Sequence, residues 1–430
     1  MMAQSLSTFP SWTDQTARAA LRRLFDVAVA NADPARMLAR HLPPRPRGRC
    51  IVVGAGKAAA SMAAAVDSAW PDVNLGGLVV VPYGYGMPAG RIAVREAAHP
   101  VPDAASEAAA REILAAVGGL DPDDLVLVLI SGGGSSVMAL PAPGISLADK
   151  QEVGRLLLAS GLDIRTMNVV RRRLSAIKGG KLLAAAAPAR LVTLGISDIP
   201  GDDAAAIASG PSVPDPTAAM DLSHVVTLLG DRLPAVVRDR LMAPPQVVAA
   251  AAPYDFRLIS TPMAALKAAS YAARSMGLHA VMLGDDLEGE SHALAAEMAT
   301  MVRDGVRTPT VLLSGGETTV TLSGGGYGRG GRNTEFALAL ACELDGMAGV
   351  WALAADTDGE DGASGAAGAV IAPDTVARAA AVGLDIRAHL AGHDSATLFA
   401  GIGDLLMTGP TRTNVNDFRA VLILPREERS

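Results

Sequence analysis

Two kinds of pattern alternate along the chain. Short apolar runs end in glycine, serine or aspartate: CIVVGAG from Cys50, GLVVVPYG from Gly77, DDLVLVLI from Asp123 and ARLVTLGI from Ala189. Between them lie stretches with apolar residues at three- and four-residue spacing, such as 147–161 and 169–187, which predict helices. The stretch 16–42 predicts a further helix, ended by Pro43, Pro44 and Pro46. Strands alternating with helices imply βαβ units and a largely parallel sheet. Loops that carry function then gather at the strands' C-terminal ends.

A second series begins near residue 255: FRLIST, HAVMLG, TPTVLLSGGE, GVWALAADTDGEDG, DLLMTGPTRTNVND and AVLILP. The Ala- and Pro-rich stretch 231–255 between the two series is the candidate boundary, giving domains 1–245 and 246–430. A chain of 430 residues suits two cores better than one. Only 3% of residues are aromatic, so the cores are built from Ala, Val and Leu. The formal net charge of −7 disfavours nucleic acid or an anionic membrane as partner. Cys50 and Cys342 lie in apolar settings and read as reduced thiols, which fits a cytoplasmic protein. The first twenty residues lack the pattern of a signal peptide, and no stretch reads as a membrane span.

The chemistry is expected in the loops. In VVGAGKAAASM, Gly54 and Gly56 permit a tight turn, and Lys57 stands near a helix start, where an anion would be welcome. The spacing is neither a P-loop nor a full GxGxxG. In SGGGSS, Ser131, Ser135 and Ser136 add hydroxyls to the N–H groups of Gly132, Gly133 and Gly134, a cradle for phosphate or carboxylate oxygens. In MNVVRRRLSAIKGGKLL a helical reading puts Arg171, Lys178 and Lys181 near one another, opposite a stripe of Val169, Val170, Leu174 and Ile177; a solvated face is the competing reading. Asp198, Asp202 and Asp203 follow one strand, and Asp356, Asp358, Glu360 and Asp361 follow another. Carboxylates at strand exits hold magnesium or act as bases in phosphoryl-transfer enzymes, although ordinary Asx turns use the same residues. Glu317 precedes a glycine-rich arm, 324–331, that leads through Arg329 to Arg332, Asn333 and Glu335. Asn414, Asn416 and Asp417 lie in TGPTRTNVND. The histidines are scattered, so a zinc site is not expected, and no GxSxG elbow occurs.

The ordered set GAGKA, SGGGSS, IKGGKL, SDIPGDD, ASGP, SGGET, GGRNTE, DTDGEDG and TGPTRTNVND resembles the glycerate 2-kinase family, also called the MOFRL family, whose members often carry a hydroxypyruvate reductase label. The resemblance covers about residues 15–425. It implies two α/β domains, the first Rossmann-like, with the site in the cleft between them. It implies phosphorylation of D-glycerate at the 2-hydroxyl by ATP with Mg2+, giving 2-phosphoglycerate. Lys57 would then bind an anion or act in catalysis, Ser131 to Ser136 would cradle substrate or phosphate, and Glu317, Arg332, Asn333 and Glu335 would line the site. Catalytic roles are expected of Lys57, Arg332, Asp198 and Asp358, ligand binding also of Lys178, Asn414, Asn416 and Asp417, and magnesium binding of Asp198, Asp356 or Asp358. Arg412 stands where the family usually has glycine. Two rivals remain: an NAD(P)H-dependent hydroxypyruvate reductase, which would want a fuller fingerprint and an acidic residue placed better than Asp72, and a non-catalytic sugar-acid binding module. Homo-oligomerisation is left open.

Overall fold

The run Leu125–Ile130 (β4) is buried at every position, as befits a strand covered on both faces. In this computed structural model, which describes residues 12–245, 247–248, 252–322 and 327–425, β4 lies in a six-stranded sheet. Its companions are Cys50–Ala55 (β1), Leu75–Pro82 (β2), Ala93–Ala97 (β3), Arg190–Ile196 (β5) and Tyr254–Ser260 (β6). The order is β3-β2-β1-β4-β5-β6, and every pairing is parallel. The chain builds outward from β1 to β3, then returns to lay β4, β5 and β6 on the other side. The β1/β4 junction is therefore the switch point at which such sheets bind ligands.

The second sheet comprises His279–Glu290 (β7), Thr310–Thr319 (β8), Val350–Asp356 (β9), Gly368–Ile371 (β10), Leu405–Leu406 (β11) and Asp417–Ile423 (β12). Its order is β11-β10-β9-β12-β8-β7, with only β7 and β8 parallel. Both halves are thus α/β, the first parallel and Rossmann-like in strand order, the second mixed.

The chain divides into two compact units. The first holds residues 32–261 and 412–415; the second holds the described residues among 1–31, 262–411 and 416–430. This differs from a division at 245/246 in three places. The helix Asp14–Asn31 belongs to the second unit because its buried face, Leu21, Leu24, Phe25 and Ala28, packs there. Phe25 meets Phe418 edge-on at 6.0 Å, and Trp351 Nε1 donates to Asp14 Oδ1 at 2.9 Å. Each large apolar side chain so buried contributes about 1.5–3 kcal/mol. β6 extends the first sheet, which carries the first unit to Thr261. Residues 412–415 return to the first unit, where Thr413 Oγ1 donates to Ala32 O at 2.7 Å.

Two helices also stop earlier than their patterns predict. The first ends at Asn31, where Asp33 caps a new short helix at Pro34. The second, Ile164–Arg173, does not run on through Lys178: Gly179 (φ 62°) and Gly180 (φ 80°) take left-handed backbone, and a separate helix begins at Lys181. Arg171, Lys178 and Lys181 therefore do not share one helical face. Helices Leu147–Leu158, Ile164–Arg173, Ser223–Leu229 and Ala235–Met242 close a second core in the first unit around Leu157, Val169, Val170 and Val225.

Candidate active site

In the first unit, candidate residues collect at the β1/β4 switch point. The turn after β1 is braced against the loop after β4: Lys57 N–H donates to Gly132 O at 2.8 Å, Ala58 N–H to Ser131 Oγ at 2.9 Å, and Ser131 N–H to Ala55 O at 3.1 Å. Gly56 N–H goes to Val80 O, and Ala59 N–H to Gly56 O. The N–H groups of 56–59 are therefore spent inside the protein. The turn's glycines serve packing. A Cβ on Gly54 would lie 2.1 Å from Leu129 O, and one on Gly56 would lie 2.4 Å from Ser131 O.

The loop 131–136 is different. Among the described residues, the N–H groups of Gly132, Gly133 and Ser135 have no hydrogen-bond partner. Ser135 Oγ is fixed by Lys178 Nζ at 2.7 Å and by Ser209 Oγ at 2.8 Å; Lys178 Nζ also donates to Ser135 O. Ser136 Oγ pairs with His99 Nδ1 at 2.7 Å. Gly133 lies between Lys57 and His99: a Cβ there would be 3.6 Å from Lys57 Cγ and 3.4 Å from His99 Cε1. Asn414 Nδ2 donates to Asp198 Oδ2 at 3.1 Å beside Gly132. Ala208 (φ 49°) and Ser209 (φ 63°) hold positive φ without being glycine, a strain of the kind found at functional loops. His99 and Ser209 carry no sequence signal as site residues. The only hints are the position of His99 just past a strand and the place of Ser209 in ASGP.

In the second unit, the helix Arg332–Leu344 presents its first residues to a ring of acids. Arg332 Nε donates to Asp417 Oδ1 at 2.8 Å, Nη2 to Asp356 Oδ2 at 2.8 Å and to Asn416 Oδ1 at 3.2 Å, and Nη1 to Glu317 Oε1. Burial works against the Arg332 charge, but Asp417, Asp356 and Glu317 outweigh it and hold the guanidinium above its ordinary range. Asn333 Nδ2 donates to Asp417 Oδ1 at 2.7 Å, and Arg419, fully buried, also pairs with Asp417, at 2.5 Å. Asp361 takes the N–H groups of Asn333 and Thr334 at 2.9 and 2.8 Å, closing the helix N-terminus. Glu335 is buried, which raises its pKa, while a hydrogen bond to His393 Nδ1 at 2.9 Å acts in the opposite direction.

Asp358 is fully buried and accepts Glu360 N–H at 2.8 Å, while its own N–H donates to Asp356 Oδ1 at 3.1 Å. Much of DTDGEDG is thus turn chemistry and a partner for Arg332. Asp198 lies in the first unit, and Asp356 and Asp358 in the second. Among the described residues, no three His, Cys, Asp or Glu side chains converge as metal ligands. Of the glycine-rich arm 324–331, residues 324–326 lie outside the described residues, as do residues 1–11 of the N-terminal stretch and 246 and 249–251 of the boundary stretch. Cys50 and Cys342 are both unpaired, and burial pushes their thiols up, to about 12 and about 11. Among the described residues, no helix is long and apolar enough to cross a membrane.

Comparison with known proteins gives two family matches: a domain of unknown function (DUF4147) over residues 20–242 and the MOFRL family over residues 310–417. An Agrobacterium vitis protein named "Putative hydroxypyruvate reductase" is 54% identical over 420 residues, covering 96% of each chain. A D-glycerate 2-kinase of Thermotoga maritima is 36% identical over 399 residues, covering 91% of this chain and 94% of its own. A crystal structure of glycerate kinase from Thermotoga maritima superposes with a TM-score of 0.85 at 33% identity, covering 95% of this chain and all of that one.

Proposed function

The chain belongs to the MOFRL, or glycerate 2-kinase, family of enzymes, and from that premise we propose that it transfers the terminal phosphoryl group of ATP to the 2-hydroxyl of D-glycerate, giving 2-phosphoglycerate. The observation that carries this reading is the loop 131–136 at the switch point. It offers three unpartnered N–H groups, from Gly132, Gly133 and Ser135, flanked by Lys57 and braced by Lys178. Phosphoryl transfer asks the protein for positioning and charge neutralisation more than for covalent chemistry, and N–H groups aimed at developing charge supply both.

In this reading the loop N–H groups and Lys57 receive the oxygens of the transferring phosphoryl group. Asp198, oriented by Asn414, accepts the proton of the 2-hydroxyl as its oxygen bonds to phosphorus and ADP leaves. In the second unit, Arg332 is the cation proposed to neutralise charge, with Glu317, Asp356 and Asp417 fixing its guanidinium. Asn333, through Asp417, and Asn416 hold that arrangement, while Glu335 pairs with His393. Of the candidate carboxylates for magnesium, Asp356 is paired with Arg332 at 2.8 Å, and no step here is routed through the metal. The unpaired thiols support a cytoplasmic setting.

The name carried by the Agrobacterium vitis relative motivates the reductase as a second reading. Two features support the kinase over it. The positions over Gly54 and Gly56 are filled by Leu129 and Ser131 rather than left for a pyrophosphate, and the N–H groups of 56–59 are spent. The test is to supply purified protein with D-glycerate and ATP, then with hydroxypyruvate and NADH. ADP formation with a phosphorus resonance coupled to the C2 proton is expected. NADH oxidation without ATP consumption would overturn the kinase reading, and tight glycerate binding without turnover would favour the binding module.

A further inference from the structure

Lys178 stands beside the loop 131–136, and two further cations, Lys150 and Arg171, come from neighbouring helices. Lys178 is almost fully buried (2% exposed), with Nζ on Ser135 Oγ. Lys150, from Leu147–Leu158, donates Nζ to Arg171 O at 3.4 Å. Arg171, in the last turn of Ile164–Arg173, spends Nη1 on Asn168 Oδ1 at 3.2 Å. Lys150, Arg171 and Lys178 lie within electrostatic reach of one another. Among the described residues, none of the three makes an ion pair with a carboxylate. The neighbouring Arg172, by contrast, is paired with Asp215 at 2.9 Å.

Uncompensated cations in a half-dry setting are costly. Burial, followed by the charges of Lys150 and Arg171, lowers the Lys178 ammonium well below its ordinary range; burial, followed by Lys181 and Arg171, brings Lys150 down to about 8. The carbonyl end of Ile164–Arg173 accounts for part of this gathering, since Lys150 and Lys181 both donate to carbonyls there. A helix end supplies only about half a negative charge, however, and that does not balance three cations. A singly charged carboxylate would also leave positive charge in excess. A phosphate dianion would match it, with oxygens enough for an Arg fork and two ammonium groups.

We propose that Lys150, Arg171 and Lys178 form a phosphate subsite, built to take a phosphate monoester or the terminal phosphate of a polyphosphate. The proposal rests on the kinase reading and deepens it: the phosphate belongs either to the phosphorylated hydroxy acid or to the nucleotide. Lys178 links the subsite to catalysis, because the ammonium group that faces the anion also fixes Ser135, whose N–H is one of the three unpartnered donors.

The test is calorimetric titration of the full chain with inorganic phosphate, 2-phosphoglycerate, ATP and D-glycerate. The variants are Lys150→Met, Arg171→Gln and the pair together, all at half-exposed positions, with thermal melts to confirm folding and Arg171→Lys as a charge-retaining control. The double variant is expected to lose at least about tenfold in affinity for inorganic phosphate and for one of the two phosphate-bearing ligands, the loss naming the source, with D-glycerate binding unchanged. Arg171→Lys should recover part of the loss. Wild-type affinity for all three phosphate ligands would make the cluster a solvated basic face and end the proposal. So would weakening confined to D-glycerate, or equal weakening of all four ligands. Failure of the wild-type chain to make ADP from ATP and D-glycerate would instead sink the kinase reading, while inorganic phosphate would still probe the subsite.

Discussion

Asn414 Nδ2 lies 3.1 Å from Asp198 Oδ2, and Gly132 gives the pair its room. A Cβ on Gly132 would sit 2.0 Å from Asp198 Oδ2 and 2.5 Å from Asn414 Nδ2. Gly132 is not among the residues with positive φ, so Gly132→Ala brings no backbone strain and acts only by pushing this pair aside. Displacing a reacting group by an ångström costs on the order of 10² in rate. Gly132→Ala should therefore lower kcat about 100-fold with its melting temperature near that of the wild type. Unchanged kcat would remove Asp198 and Asn414 from the reaction.

Lys57 carries a sharper expectation. Its main chain is held by Gly132 O, and its stem passes Gly133, so Lys57→Ala leaves the bracing of the two loops in place. Loss of one preorganised charge on a transferring phosphoryl group costs roughly 10²–10³ in turnover. Lys57→Arg should recover little of it, since a planar guanidinium does not replace a point charge in the narrow space shared with His99. A folded Lys57→Ala enzyme with more than about a tenth of normal kcat would show the lysine to be a bystander.

How much of this is legible in the sequence depends on what each feature needs. β1, β4 and β5 stand out because each is a continuous apolar run, which a strand buried on both faces requires. β3 does not, because Ala93–Ala97 lies at a sheet edge with Arg95 and Glu96 outward. The helix Asp14–Asn31 is evident from periodicity, but its allegiance is not: the partner Phe418 lies at the far end of the chain. Gly-Gly in IKGGKL signals a special backbone, yet only the fold reveals that the break brings Lys178 onto Ser135. Carboxylates at strand exits read alike as metal ligands, turn residues or ion-pair partners. The choice between these belongs to tertiary contacts such as Asp356 with Arg332. His99 against Ser136 and His393 against Glu335 have no local signature at all.

Arg332 makes a stability prediction that Lys57 does not. Its side chain, 24% exposed, holds Glu317, Asp356 and Asp417 together, and two of those carboxylates are nearly or fully buried. Breaking a buried ion pair from one side costs about 3–5 kcal/mol, and solvent access to the arginine and Glu317 reduces this to roughly 2–4 kcal/mol. Arg332→Met should lower the urea midpoint accordingly and abolish activity. The triple change Arg332→Met, Asp356→Asn, Glu317→Gln should regain part of the stability without the activity, because it removes the charges left unpaired. Equal midpoints for wild type and Arg332→Met would show that the acid ring needs no cation.

Acid stability should report on a helix cap that the proposed reaction does not use. Asp103 caps the helix Ala104–Val117, accepting Ser106 N–H at 3.0 Å, Ser106 Oγ at 2.9 Å, Ala98 N–H at 3.3 Å and the Tyr83 hydroxyl at 2.8 Å. Partial burial works against its charge, but these donors outweigh it and bring the carboxyl down to about 2. An unfolded aspartate titrates near 3.9, so the folded state binds fewer protons between those values. The stabilisation is therefore fully present above about pH 4 and is lost as pH falls towards 2. At pH 7, Asp103→Ala should cost about 1 kcal/mol, the usual worth of an N-cap. That difference should shrink as urea unfolding is repeated at pH 6, 4 and 3, because only the wild type loses the charged cap. Asp103→Asn, a neutral cap, should behave at every pH as the wild type does once protonated. A wild-type advantage over Asp103→Ala that stayed constant or grew on acidification would mean that the carboxylate's charge contributes nothing to holding this helix, whose buried face includes Ala109, Ala110, Ile113 and Val117.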